Sequence, residues 1–84
     1  MLKFYKTQGT EIRKAVEVDE NGQRLEVKAV IGKVAELLEK EIIFQDNTSG
    51  NEEKWLVICK DGLDITEFDS LDEAKESCIE RWTK

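Results

Sequence analysis

Several residue types that enzymes and metalloproteins commonly use are scarce or absent in this 84-residue chain. It contains no histidine, which removes the commonest general base and the commonest metal ligand together. Its two cysteines, Cys59 and Cys78, are too few for a disulfide scaffold and match no metal-binding spacing. Neither GxxxxGK[ST] nor GxGxxG, the glycine-rich phosphate-binding patterns, occurs. We therefore expect no catalytic residues, no metal and no cofactor, and we predict that the protein is not an enzyme.

Long apolar runs are missing as well. No run approaches the roughly 18 residues of a membrane span. The first residues, MLKFYKTQGT, lack the apolar region and small-residue cleavage site of a signal peptide. These absences predict a cytoplasmic protein that does not insert into a membrane. The length predicts a single domain over residues 1–84, with a small core.

Charge is abundant and unevenly distributed. Charged residues make up 38% of the chain, and the net charge is −6. Residues 1–31 carry a net +1, whereas residues 32–84 carry −7. An acidic surface repels phosphate backbones, so nucleic acid is disfavoured as a partner.

The first half of the chain reads as three strands. Leu2–Lys6 predicts a first strand, and residues 12–31 predict a hairpin about a type I′ turn at Asn21-Gly22. Pairing Val16 with Val27 places the apolar side chains on one face, which should fix the register. In that register Ile12, Val16, Val18, Leu25, Val27, Ala29 and Ile31 share a face.

A helix is predicted from Lys33 onward, because Val34, Leu37 and Leu38 fall at helical spacing. Residues 42–44, Ile-Ile-Phe, either finish this helix or begin a short strand. The polar interval from Gln45 to Lys54 has loop composition.

The last third, residues 55–82, predicts a strand, an Asp61-Gly62 turn, a second strand and a helix. A three-residue loop would pair Val57 with Ile65, and a two-residue loop would pair Ile58 with Ile65 and Trp55 with Phe68. We favour the first because it separates the faces better. Leu56 and Ile58 then lie on a second apolar side that a partner can cover.

The final helix has a clear start signal. Ser70 and Glu73 form a capping box. The predicted buried stripe, which includes both ends of the helix, is Leu71, Ala74, Cys78 and Trp82, with Ile79 alongside. Asp72, Glu73, Glu76 and Glu80 occupy the opposite side. Cys59 and Cys78 read best as small buried hydrophobes, and a redox pair is the alternative.

This C-terminal pattern resembles a ββα ending found in small uncharacterised bacterial and phage proteins. The residues that carry the resemblance cover about a third of the chain: Trp55, Asp61, Gly62, Phe68, Ser70, Leu71, Glu73, Ala74 and Lys75. All of them have turn, capping or packing roles, so the resemblance implies no active site.

The sequence thus predicts an α+β fold, with a mostly antiparallel sheet of about five strands and two helices largely on one face, in the order β-β-β-α-(β)-β-β-α. The function expected is protein–protein interaction or regulation, with a partner that has a basic surface, and a homodimer is allowed. The candidate partner-binding residues are Asp72, Glu73, Glu76, Glu80, Leu56, Ile58 and Trp82. The alternatives are a nucleic-acid-binding module that uses Lys6, Arg13, Lys14, Arg24 and Lys28, and a small-ligand binder or enzyme.

Overall fold

The fold is α+β: one antiparallel sheet of five strands with two helices. The computed structural model describes residues 1–48, 50–60 and 64–82. The strands lie side by side in chain order, so each pairs with the next in a meander. The elements are β1 (Leu2–Lys6), β2 (Arg13–Val18), β3 (Arg24–Lys33), α1 (Val34–Glu39), β4 (Trp55–Cys59), β5 (Ile65–Phe68) and α2 (Leu71–Trp82), with one turn of 3₁₀-helix at Gln45–Asn47.

The two helices cover opposite faces of the sheet rather than largely one face as the sequence suggested. Ile31 and Val57, which pair across β3 and β4, belong to a cluster with Ala74 and Cys78 of α2. Leu56, the next residue along β4, belongs to a cluster with Val34 and Leu37 of α1. Because neighbouring residues of a strand point to opposite faces, the two clusters lie on either side of the sheet.

The β2–β3 hairpin does not keep the single register predicted for it. Val16 pairs with Val27 as expected, but two irregularities shift the pairing on either side, and Ala15 lies opposite Ala29. The apolar residues therefore do not share one face. Leu25 and Val27 are 60% and 40% exposed, whereas Ala15 is buried.

The turn of this hairpin differs from the predicted type I′ turn. Gly22 adopts a positive φ of 82°, and Asn21 does not have a positive φ. The Asp19 carboxylate accepts the backbone N–H groups of Asn21 and Gln23, both at 2.9 Å. A carboxylate that binds its own turn in this way stabilises a longer loop with glycine alone in the left-handed region.

The β4–β5 pair has the register that the sequence argument had set aside. Trp55 lies opposite Phe68, and Ile58 lies opposite Ile65. The predicted turn at Asp61-Gly62 lies outside the described residues. Choosing the register that best separates an apolar face from a polar one was the wrong criterion here. Both faces of β4 are covered, the Trp55 side by α2 and the Ile58 side by α1.

Helix α1 ends abruptly, and residues 42–44 form neither its last turn nor a strand. Ile42 N–H donates to the Leu37 carbonyl and Glu41 N–H to the Leu38 carbonyl, at 2.9 and 3.1 Å. With Glu41 at φ 59°, this is a Schellman motif. The reversal buries Ile43 and leaves Ile42 46% exposed.

Candidate functional site

Helix α2 begins where the sequence predicted. The Ser70 hydroxyl accepts the Glu73 backbone N–H at 3.2 Å and donates to the Glu73 carboxylate at 3.2 Å. This exchange satisfies one of the free N–H groups of the first turn. It also holds Glu73, with Asp72 beside it, at the helix end where negative charge is favourable.

One side of α2 packs on the sheet and the other faces solvent. Ala74 and Cys78 are fully or almost fully buried, and Leu71 and Trp82 are half-buried beside them. Ile79, predicted beside the buried stripe, is instead 44% exposed. The four predicted acidic residues are all exposed on the outer side. We call this surface the acidic face: Asp72, Glu73, Glu76 and Glu80, with the apolar Ile79 at its edge.

The basic residues of α2 point away from the acidic face. The Lys75 ammonium lies 5.6 Å from the centre of the Phe4 ring. The Arg81 guanidinium bonds to the Asp64 carboxylate at 2.7 Å. This bond and the charge of Arg81 lower the pKa of Asp64.

The carboxylates of the acidic face carry uncompensated charge. None of Asp72, Glu73, Glu76 and Glu80 forms an ion pair with any residue in the described part of the chain. A shallow depression of about 360 Å³ lies against Glu76, Ile79 and Glu80. The surface therefore offers an apolar side chain flanked by two unpaired negative charges.

The remaining predicted partner-binding residues are not part of this surface. Leu56 is 1% exposed and lies beneath α1, so it is a core residue and its prediction as a surface contact is corrected. Ile58 is half-buried in the same cluster. Trp82 is half-buried at the other end of α2 and packs against the cluster on that face.

Trp82 borders a second cavity that the sequence did not predict. It measures about 350 Å³, and its charged lining comes from Glu26, Lys28, Lys60 and Arg81. Glu26 bonds to Lys60 at 2.7 Å and to Lys28 at 3.3 Å, and these bonds lower the pKa of Glu26. The lining therefore carries three cations and one carboxylate, and two of the cations also pair with acids outside it: Lys28 with Glu17 at 3.5 Å and Arg81 with Asp64 at 2.7 Å. No sequence pattern pointed to it, since its residues come from three elements.

The two cysteines are free and buried, as their reading as small hydrophobes implies. Burial, and to a smaller extent the neighbouring Cys59, raises the pKa of the Cys78 thiol to about 11. A thiol with such a pKa is almost entirely protonated at neutral pH and is a poor nucleophile.

The basic residues proposed for nucleic-acid binding are largely engaged within the protein. Lys6 pairs with Glu11 at 2.7 Å, and the Arg24 guanidinium lies 3.9 Å from the centre of the Tyr5 ring. Lys28 pairs with Glu26 and Glu17 at 3.3 and 3.5 Å. Arg13 lies 3.7 Å from Glu11. Within the described residues, Lys14 alone among the five has neither an ion pair nor a contact with an aromatic ring.

The described residues offer neither a metal-binding cluster nor a membrane-spanning helix. They contain no group of three or more Cys, Asp or Glu residues placed to hold a metal ion. None of the helices they form has the length and apolar character needed to cross a membrane.

Comparison of the chain with protein-family models, with curated proteins and with solved structures found no match.

Proposed function

We propose that this protein is a cytoplasmic interaction or regulatory module that docks on a basic surface of a partner protein through the acidic face of α2. One observation carries the proposal: four exposed carboxylates without ion pairs in the described structure share one side of α2, and two of them, Glu76 and Glu80, lie beside the exposed Ile79. An apolar contact gives such an interface affinity, and the surrounding charges steer the approach of a basic partner.

The arrangement of the basic residues supports this choice over nucleic-acid binding. Phosphate binding requires several cations free to replace counterions. Of the five basic residues considered for nucleic-acid binding, all but Lys14 already contact an acid or an aromatic ring. A homodimer through the second apolar side of β4 loses its basis as well, because α1 covers Leu56.

The test is capture of partners from a lysate of the organism that encodes the chain, with the 84-residue chain immobilised. Wild type should retain basic proteins at low salt and release them as salt rises, because exposed charges are screened. Glu76→Lys with Glu80→Lys should abolish this capture. The bound proteins would be identified by mass spectrometry.

A matched control reverses the same amount of charge on the other side of the molecule. Glu39→Lys with Glu52→Lys changes two exposed acids, one at the end of α1 and one in the following loop. This variant should capture the same proteins as wild type. Equal loss from both double variants would indicate that net charge, rather than the acidic face, governs binding, and the proposal would be wrong.

A further inference from the structure

A mostly apolar groove of about 440 Å³ opens on the sheet face that carries α1. Ile12, Val30 and Ile42 contribute apolar side chains, and Lys14 and Lys40 stand beside them. Its volume falls in the range of small-molecule sites, which are typically concave, apolar and equipped with a few polar groups.

The groove exists because α1 is short. The helix has six residues, and β3 is the strand that it packs against most extensively. The reversal at Glu41 then brings Ile42 back over the sheet with 46% of its surface exposed. An apolar side chain is thus held beside an uncovered part of the sheet.

The polar loop that borders the groove is satisfied internally. The Thr10 hydroxyl donates to the Thr7 carbonyl at 2.9 Å and accepts the Ile12 N–H at 3.0 Å. The Thr7 N–H in turn donates to the Ile12 carbonyl at 2.8 Å. These groups therefore need no hydrogen bond from a ligand, and their bonds fix the shape of the loop that forms one side of the groove.

The two lysines, in contrast, have no acidic partner within the described residues. Glu36 precedes Lys40 by four residues, a spacing that favours an ion pair on a helix. Its carboxylate instead accepts the backbone N–H of Glu11 at 2.9 Å. The groove therefore carries two ammonium groups beside an apolar floor.

We propose that this groove binds a small amphipathic anion, namely a medium-chain carboxylate. Its hydrocarbon chain lies on Ile12, Val30 and Ile42, and its carboxylate lies between the Lys14 and Lys40 ammonium groups. The site is independent of the acidic face, which lies on the other side of the sheet.

The experiment is a titration of the full chain with octanoate, followed by the methyl NMR signals of isoleucine and valine. Octanoate should shift the Ile12, Val30 and Ile42 signals along a saturable curve. The uncharged analogue 1-octanol should bind more weakly at the same methyl groups.

Variants separate the charge from the apolar floor. Lys14→Met with Lys40→Met keeps most of each side chain's apolar length but removes the charge, and should weaken octanoate about three- to tenfold, as expected for two exposed ion pairs. The control, Lys3→Met with Lys60→Met, removes two exposed cations outside the groove and should leave the affinity unchanged. Ile42→Asp should abolish saturable binding while the other methyl signals keep their folded positions.

Three outcomes would overturn the proposal. The first is the absence of saturable shifts, and the second is equal binding of octanoate and 1-octanol with no effect of the two lysine changes. The third is movement of the same methyl signals with protein concentration alone, which would assign the groove to a second copy of the chain.

Discussion

Leu37 of α1 lies so close above Gly32 of β3 that no side chain fits between them. A Cβ atom placed on Gly32 would lie 2.7 Å from Leu37 Cδ2 and 2.8 Å from Leu37 Cγ. Leu37 is completely buried, so it has little room to move. The missing side chain at position 32 is what allows α1 to pack directly on the sheet.

Gly32→Ala should therefore destabilise the protein, by about 1–3 kcal/mol as found for overpacked cores. The φ of Gly32 is not positive, so alanine fits the backbone and the steric clash alone decides the sign. Urea denaturation followed by tryptophan fluorescence measures the free energy of unfolding.

The double variant with Leu37→Ala is the control. Leu37→Ala alone should cost about 2–5 kcal/mol, because it leaves a cavity in the core. Alanine at position 32 fills part of that cavity, so the double variant should lose less than the two single losses added together. If the loss in the double variant equalled the sum of the two single losses, residues 32 and 37 would not be in direct contact.

At Glu41, in contrast, backbone geometry sets the expected result. It is the one non-glycine residue in the described chain with a positive φ, 59°, and it occupies the position where helices prefer glycine. Glu41→Gly should stabilise the protein by up to about 1 kcal/mol, since glycine adopts this conformation without strain.

The same change within the helix provides the comparison. Glu39→Gly lies in the last turn of α1 with ordinary helical geometry and should destabilise by up to about 1 kcal/mol. Both free energies would come from urea denaturation. If Glu41→Gly destabilised the protein, the backbone of Glu41 would not be strained at the end of α1, and this prediction would be wrong.

The positions of the strands and helices could be predicted from the sequence. The strand registers, and the side of the sheet that each helix covers, could not. Alternation and turn residues located all five strands, and Ser70 with Glu73 located α2. Register in β4–β5 was mistaken because both faces of β4 are covered, so alternation carries no information there. Register in β2–β3 was right at Val16–Val27 but wrong on either side, because the irregularities of this hairpin depend on tertiary packing.

The candidate surfaces divide in the same way. The exposure of Glu76 and Glu80 could be predicted because it follows from helical periodicity within a single element. The groove beside Lys14 and Lys40 could not, because it depends on where α1 stops and on which face it covers. Ile79 was wrongly predicted to be buried, because the width of the buried stripe on α2 depends on how the neighbouring strands pack against the helix.

Cys78 should be almost inert to thiol reagents in the folded protein. Its pKa of about 11 leaves on the order of one thiolate in a thousand molecules at pH 8, and its side chain is 1% exposed. Labelling with a chromogenic disulfide should therefore follow the unfolding rate, and Cys59→Ser isolates the signal of Cys78. Fast labelling without denaturant would show that the thiol is accessible in the folded state.

The Asp64–Arg81 ion pair should make a pH-dependent contribution to stability. Because Arg81 lowers the pKa of Asp64 in the folded state, the unfolded chain takes up this proton first as pH falls. The contribution is complete near neutral pH, declines below about pH 4, and vanishes once pH has passed through the folded pKa.

The difference in free energy of unfolding between wild type and Asp64→Asn measures this contribution. It should be largest near pH 7 and shrink steadily toward pH 2. Its size should be modest and fall with added salt, because both side chains are about half exposed. In an Arg81→Met background the same substitution should show much weaker pH dependence, since the partner that lowers the pKa is gone. An equally strong dependence in that background would assign the shift to another group.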